Sequence, residues 1–308
     1  DWSQVRELAG GTSLDAASSA HDVDEFLSRA YEQDLTSTSA VTDSTYAMAD
    51  RYGFSSLDAQ WEMYGQSREG AVAVLQLTDA VDLDGVERNL RTLGYDAPED
   101  GAGSGRVWKG SADLVAQIDP SLTPVLQNVV VLPEQEVVLL SDSAAYASSA
   151  ADVVQGSDPG LAEETDGVDD LAGLLEDPVS SVLFASDFAC EALSMSSADE
   201  EDQAVADDLV AKAGGVNPLS GLVLASDADR SLTVGMYFES SDQAEANLQP
   251  RVDLAAGEAV GQGGMFADRF RIESAEQQGR TVVLELSPQA EESLLSDLSQ
   301  GLVIFATC

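Results

Sequence analysis

The sequence predicts an α+β fold of two related halves, each a mainly antiparallel sheet with helices packed on one face, preceded by an N-terminal helical lead-in. Three observations carry that expectation. Short apolar runs stop abruptly at Ser-Asp in three places, at Val138–Asp142, Leu183–Asp187 and Leu222–Asp227, the pattern of a buried strand closed by a turn or a helix cap. Pairs of such runs recur with short polar turns between them. The order strand, strand, helix then repeats along the chain, a loose similarity that generic alternation would also produce.

Residues 1–58 read as helical. Asp22 or Asp24 can cap a helix with Val23, Phe26, Leu27, Ala30 and Tyr31 at three- and four-residue spacing, and a second helix from about Ser44 ends at Gly53. Apolar and polar residues then alternate over Ala59–Tyr64, and Ala71–Leu77 follows a polar turn, together an antiparallel hairpin. Asp82 and Asp84 precede a helix that stops at Gly94, Gly101–Gly105 is a surface loop, and Arg106–Trp108 is a short strand. Pro120 and Pro124 break the stretch before a hairpin of Val129–Leu132 and Val137–Leu140, and Ser141-Asp142 caps the next helix. This first half spans 59–156.

An acidic connection, 157–178, with a short helix near Val168–Leu175, leads to a second half over 179–308. It opens with the strand Val179–Ala185. Ser197–Glu200 is a capping-box pattern before a helix stopped by Gly214-Gly215, and Leu219–Ala225 and Leu232–Phe238 flank a turn at Asp227–Arg230. Asp242–Glu245 opens a helix that Pro250 should kink or divide. Strands at Phe266–Ser274 and Arg280–Leu286 come next; Ser287-Pro288 starts a helix to Leu298, and Leu302–Ala306 reads as a last buried strand.

With 308 residues the chain can bury a substantial core. Its 56 Asp+Glu against 14 Lys+Arg give a formal net charge of −42, interleaved with Val, Leu and Ala rather than gathered in a tail. Such a surface repels phosphate backbones and anionic lipid heads, so nucleic-acid partners are excluded on electrostatic grounds. Self-repulsion of this size calls for counter-ions, and screening tightens from about 10 Å at 0.1 M salt to about 3 Å at 1 M. A salt-adapted source and an exported protein of a high-GC bacterium both fit the composition. No apolar run reaches the length of a membrane span, and no signal peptide is present; a start at Asp1 rather than Met suggests a trimmed chain.

Cys190 and Cys308 are the only cysteines. A disulfide between them would tie down the chain end and close a loop of about 118 residues, on the order of 4–5 kcal/mol in the chain-entropy model. An even, depleted cysteine count favours that bond and an oxidising compartment over two buried thiols.

Familiar chemistry is mostly missing. His21 is the single histidine, beside Asp22 near a helix start, with no catalytic set around it. No nucleophile elbow, Ser-Lys spacing, phosphate loop or zinc ligand set is present. Asp82-Leu83-Asp84-Gly85 resembles a calcium loop only in part, since Ala80 and Arg91 occupy ligand positions. Asp187, Glu191, Asp227 and Asp229 near strand ends are the candidate acid and base pairs. Trp61, Tyr64 and Trp108 suit a core or sheet face, or else a ligand groove. The reading therefore assigns no catalytic, cofactor or metal residues.

The Ala/Asp/Gly-rich, lysine-poor composition, the segment Arg51-Tyr52-Gly53-Phe54 leading to Trp61-Glu62, and the ending from Ser296-Asp297-Leu298-Ser299 to Phe305-Ala306-Thr307-Cys308 resemble exported lipoproteins and envelope proteins of high-GC actinobacteria. The resemblance implies an extracytoplasmic home, secreted or surface-anchored by a lipid on an upstream cysteine, and no particular activity. The expected function is a non-enzymatic surface or envelope protein that binds a partner or small ligand. The alternatives are a carboxylate-dependent extracytoplasmic hydrolase and a cytoplasmic protein of a salt-accumulating organism.

Overall fold

The computed structural model describes residues 1–15, 18–98, 106–289 and 293–308. The chain forms two compact units, Asp1–Gly160 and Leu161–Cys308, each built on a five-stranded antiparallel sheet.

In the first unit, helix α1 (Trp2–Leu8) is capped by Asp1. Helix α2 (Ala20–Glu32) is capped by Ser19, whose hydroxyl accepts from Asp22 N, so neither Asp22 nor Asp24 is the cap. Ser19 lies in extended backbone (φ −68°, ψ 148°), as an N-cap requires. Helix α3 (Thr45–Tyr52) ends at Gly53, whose φ of 84° only glycine adopts without strain. The hairpin β1 (Ala59–Ser67) and β2 (Gly70–Leu77) leads to α4 (Leu83–Leu93), capped by Asp82. After β3 (Val107–Lys109) comes α5 (Ala112–Ile118), a helix that is too short to show a periodic pattern but is started by Ser111. The hairpin β4 (Asn128–Leu132) and β5 (Val137–Ser141) feeds α6 (Ala144–Val154). The glycine-rich loop expected at 101–105 falls outside the described residues.

The cap of α6 is Ser143, not Ser141 or Asp142. Those two residues are taken by the sheet. Asp142 accepts from Ala71 N at 2.9 Å and Ser141 donates to Ala71 O at 2.7 Å, locking the end of β5 to the start of β2.

The sheet order is β1-β2-β5-β4-β3. Val72, Val74, Val130, Leu132, Val137 and Leu139 present one face to Ala147 and Ala151 of α6. Every residue of β4 and β5 is buried, the burial of both faces that continuous apolar runs require. The helical layer on one face is thus joined by thinner cover on the other. The 3-10 turn Pro124–Gln127 lies against β2 and β5, fixed by a buried chain in which Tyr52 and Tyr95 share a hydroxyl bond of 2.8 Å and Tyr95 donates to Leu126 O at 2.6 Å.

The second unit begins inside the acidic stretch. Helices α7 (Leu161–Glu164) and α8 (Val168–Ala172) precede β6 (Ser180–Ala185), and Leu171 is buried against Val223 and Tyr237. Glycines make the room: a Cβ at Gly221 would stand 2.8 Å from Leu171 Cδ1, and one at Gly235 would stand 2.7 Å from Leu174 Cδ1. Asp166 accepts from Tyr237 Oη at 3.2 Å and pairs with Arg280 at 2.9 Å. From Leu161 on, the stretch read as a connection is an integral part of this unit.

The remaining elements are α9 (Phe188–Glu191), α10 (Glu200–Ala213), the hairpin β7 (Gly221–Ser226) and β8 (Leu232–Tyr237), α11 (Ser241–Ala255), the hairpin β9 (Phe270–Gln278) and β10 (Thr281–Pro288), and α12 (Leu294–Gln300). The order is β6-β7-β8-β10-β9. Asp199 caps α10 in place of Ser197, and Ser240 caps α11 in place of Asp242. Pro250 does not divide α11, which runs through it as one helix held by buried Ala244, Asn247, Arg251, Leu254 and Ala255. Ser287 and Pro288 end β10, paired with Arg271 and Phe270, and do not open a helix; a strand end tolerates proline because little of the ladder is lost there. Phe266–Asp268 is a 3-10 turn, so β9 starts later than expected. The last apolar run is buried as expected but forms a 3-10 turn, Ile304–Ala306, instead of a strand. Phe305 packs edge-on against Phe266 and Phe270, at 5.2 and 6.2 Å between centroids. An apolar run reports burial, not backbone conformation.

Both sheets contain the same four-strand module: hairpin, helical crossover, hairpin, then a helix. In space its strands lie as β1-β2-β5-β4 in one unit and β7-β8-β10-β9 in the other, with every neighbouring pair antiparallel. The fifth strand is added on opposite sides, β3 beside β4 but β6 beside β7.

Candidate binding edge

A sheet edge leaves backbone N–H and C=O groups unpaired, and folded proteins normally cover it, shorten it or charge it. Among the described residues two of the four edges, β3 and β9, follow that practice. The three-residue β3 is met on its outer side by Asp96, which exchanges backbone bonds of 2.8 and 3.0 Å with Lys109. The side chains of β6 are largely half-buried. On β9, Arg271 and Glu273 form an ion pair of 2.6 Å at the surface.

Strand β1 differs. Trp61, Met63 and Tyr64 are 40%, 53% and 38% exposed. Alternation puts Trp61 and Met63 on one face and Tyr64 on the other. Met63 lies opposite Val74, so the first pair extends the face that α6 covers.

The start of the strand is tied down. Arg6 Nη1 donates to Ala59 O at 2.7 Å, and Glu62 accepts from Trp2 Nε1 at 2.9 Å, from Ser39 Oγ at 2.7 Å and from Ala40 N at 2.7 Å. Beyond Glu62, among the described residues, no strand pairs with the outer side of Met63–Ser67. Burial and the nearby Asp142 carboxylate push the Tyr64 hydroxyl up, so it stays a neutral donor and acceptor. The arrangement offers apolar side chains on both faces and, between them, main-chain groups that no strand among the described residues pairs.

The carboxylates singled out in the sequence do not assemble. Ala185 pairs with Gly221, which puts Asp187 and Glu191 near the start of β7, whereas Asp227 follows its far end, about 20 Å away at strand rise. Asp227 and Asp229 are neighbours in the β7–β8 turn and both accept from Ser231 Oγ, at 3.4 and 2.6 Å. Burial and the Asp229 charge push the Asp227 carboxyl up, while bonds from the Ser231 hydroxyl and backbone hold Asp229 down. His21 is exposed on α2, and Asp82 serves its helix by accepting from Gly85 N. Trp108 is core, with the Arg91 guanidinium 5.2 Å from its ring centroid.

Among the described residues no cluster of three His, Cys, Asp or Glu could hold a metal ion, and no helix is long and apolar enough to cross a membrane. A cleft lined by Asp15, Ser18, Val23, Tyr46, Asp50 and Leu57 has a volume of about 110 Å³, below the roughly 300 Å³ of ordinary small-molecule sites.

Cys190 and Cys308 form a disulfide with Cα atoms 5.5 Å apart. Next to it, Arg251 of α11 is fully buried. It donates to the carbonyls of Phe305, Thr307 and Asn217 and lies over the Phe238 ring. Burial pulls its guanidinium down to about 9, still charged at neutral pH. Bond and guanidinium together fasten the chain end; the sequence reading found the first and missed the second, because no carboxylate spacing marks an arginine whose acceptors are carbonyls.

No protein-family model matches the chain, and comparison with curated proteins and with solved structures finds no match. The fold and edge define it as a two-module, disulfide-bonded α+β protein with an exposed apolar edge strand at β1.

Proposed function

We propose that this is a non-enzymatic surface or envelope protein of the extracytoplasmic space that binds a protein partner through the outer edge of β1. The observation that carries the proposal is the exposure of Trp61, Met63 and Tyr64 together on one edge strand of a strongly acidic chain. Large apolar side chains gathered on one open edge mark an interaction surface. The disulfide supports an oxidising compartment, since such bonds rarely persist in the cytosol, and it weighs against the salt-accumulating cytoplasm that the acid coat alone would allow. The resemblance to actinobacterial envelope proteins points the same way.

A carboxylate-dependent hydrolase is the second reading, favoured by Asp227 and Asp229 standing side by side on the Ser231 hydroxyl at 3.4 and 2.6 Å, with burial pushing the first carboxyl up and the Ser231 bonds holding the second down.

The test is photo-crosslinking in the native host, with a photo-reactive phenylalanine analogue in place of Met63 and, as a control, in place of Tyr31, which is 74% exposed on α2. The expected result is a discrete adduct from position 63 and none from position 31. No adduct at 63, or the same adducts at both positions, would sink the binding reading.

A further inference from the structure

We infer that the outer edge of β1 receives an antiparallel strand from a cationic partner protein, added beside Met63–Ser67 in the place that β6 holds beside β7. The inference rests on the binding reading above and gives the partner its chemistry.

The shared module carries it. β1 in β1-β2-β5-β4 occupies the position of β7 in β7-β8-β10-β9. The outer edge of β7 is filled: Ser180–Ala185 pairs with it antiparallel along its whole length. The corresponding edge of β1 carries no strand among the described residues. At the other end of the module the relation reverses, with β4 covered by β3 and β9 open. The two open edges have opposite chemistry. β9 turns Arg271, Glu273 and Glu276 to solvent, the charged edge that discourages pairing. β1 turns out Trp61, Met63 and Tyr64, the side chains that give an added strand its cross-strand partners.

In an antiparallel ladder alternate residues point both main-chain groups to the same side, so about two or three of the five residues from Met63 to Ser67 face outward. So short an addition needs side-chain and charge contributions to reach useful affinity. Charge decides the occupant. The chain carries −42, and at the Ser67 end of the open stretch the exposed Glu69 and Asp142 outnumber the exposed Arg68. A second copy would bring another −42 to the same edge and be repelled, whereas a segment with lysine or arginine on its flanks is attracted and steered.

The test is backbone hydrogen exchange on the full chain with three synthetic peptides: the β6 sequence Ser180–Ala185 flanked by lysines, the same sequence flanked by glutamates, and the lysine version with a central proline. The lysine-flanked peptide is expected to slow exchange at alternate amides of Met63–Ser67 by about tenfold or more, and added salt should weaken the effect. The other two peptides, and the lysine peptide on Met63→Glu, should leave those amides unchanged. Absence of protection by the lysine peptide, equal protection by the glutamate peptide, or a peptide-free dimer protected at Met63–Ser67 each overturns the inference. The two failures separate: a position-63 adduct without peptide protection leaves the binding reading standing and removes the cationic strand, whereas no adduct removes the binding reading itself.

Discussion

Replacing Arg251 by alanine is expected to destabilise the second unit by about 3–5 kcal/mol, from a large truncation in the core and three buried carbonyls left without their donor. The guanidinium is fully buried and its acceptors are three carbonyls, those of Phe305, Thr307 and Asn217. Truncation leaves these acceptors facing a void, and an unsatisfied buried carbonyl costs about 1–3 kcal/mol each in the worst case. The carbonyls belong to the loop before β7 and to the chain end, so both should loosen. Arg251→Met keeps the volume and still loses the bonds; it should recover only part of the stability. Arg88→Ala is the control. Its ion pair with Asp82 spans side chains 63% and 67% exposed, a class worth at most about 1 kcal/mol. Urea unfolding measures all three. A loss at Arg251 no larger than at Arg88 would show that the buried guanidinium does not hold the chain end.

Removal of the disulfide, by Cys190→Ser with Cys308→Ser, is expected to cost about 4–5 kcal/mol through the freedom regained by the unfolded chain. The bond joins residues 118 apart, which places it among the longer loops. Other contacts hold the segment without the bond: Val303 N donates to Leu193 O at 3.0 Å and Met195 N to Thr307 Oγ1 at 3.2 Å. The loss should therefore fall mainly on the unfolded state. The denaturant midpoint drops, and the dependence on denaturant steepens as the unlinked chain exposes more surface. Unfolding followed by far-UV circular dichroism, with amide hydrogen exchange of Val303–Thr307 in the absence of denaturant, distinguishes this from a native-state effect, in which those amides would already have lost their protection.

Much of the fold could be read from residues alone, for identifiable reasons. Val138–Asp142 and Leu222–Asp227 hold buried strands followed by a cap or a turn, because a run of branched apolar residues has few other places to go, whereas Leu183–Asp187 ends the half-buried edge strand β6. Gly53, Gly94 and Gly214 end helices at φ of 84°, 99° and 106°, a conformation that side chains resist. The caps were harder. Ser, Asp and Asn crowd every helix start, and which one accepts the first free N–H depends on backbone geometry a residue at a time; Ser19, Ser143, Asp199 and Ser240 each displaced a neighbour. Leu302–Ala306 was legible as buried and not as a turn, since its contacts to Leu193 and Arg251 come from distant parts of the chain.

The candidate edge shows the same division. Alternation over Ala59–Tyr64 announces a strand with Trp61 on it. That the strand is outermost depends on β5 pairing with β2 across more than sixty residues, and no local signal encodes it. The correspondence between the modules likewise emerges only from strand order.

Binding outside the cytoplasm is the centre of this account, and the thiol state in the native host tests its compartment most directly. Intact mass after alkylation in denaturant is measured with and without prior reduction. Cys190 and Cys308 are expected to take up reagent only after reduction. Labelling of both thiols without reductant would place the protein in a reducing compartment and contradict the envelope assignment, leaving the acid coat to be explained by a salt-rich cytoplasm.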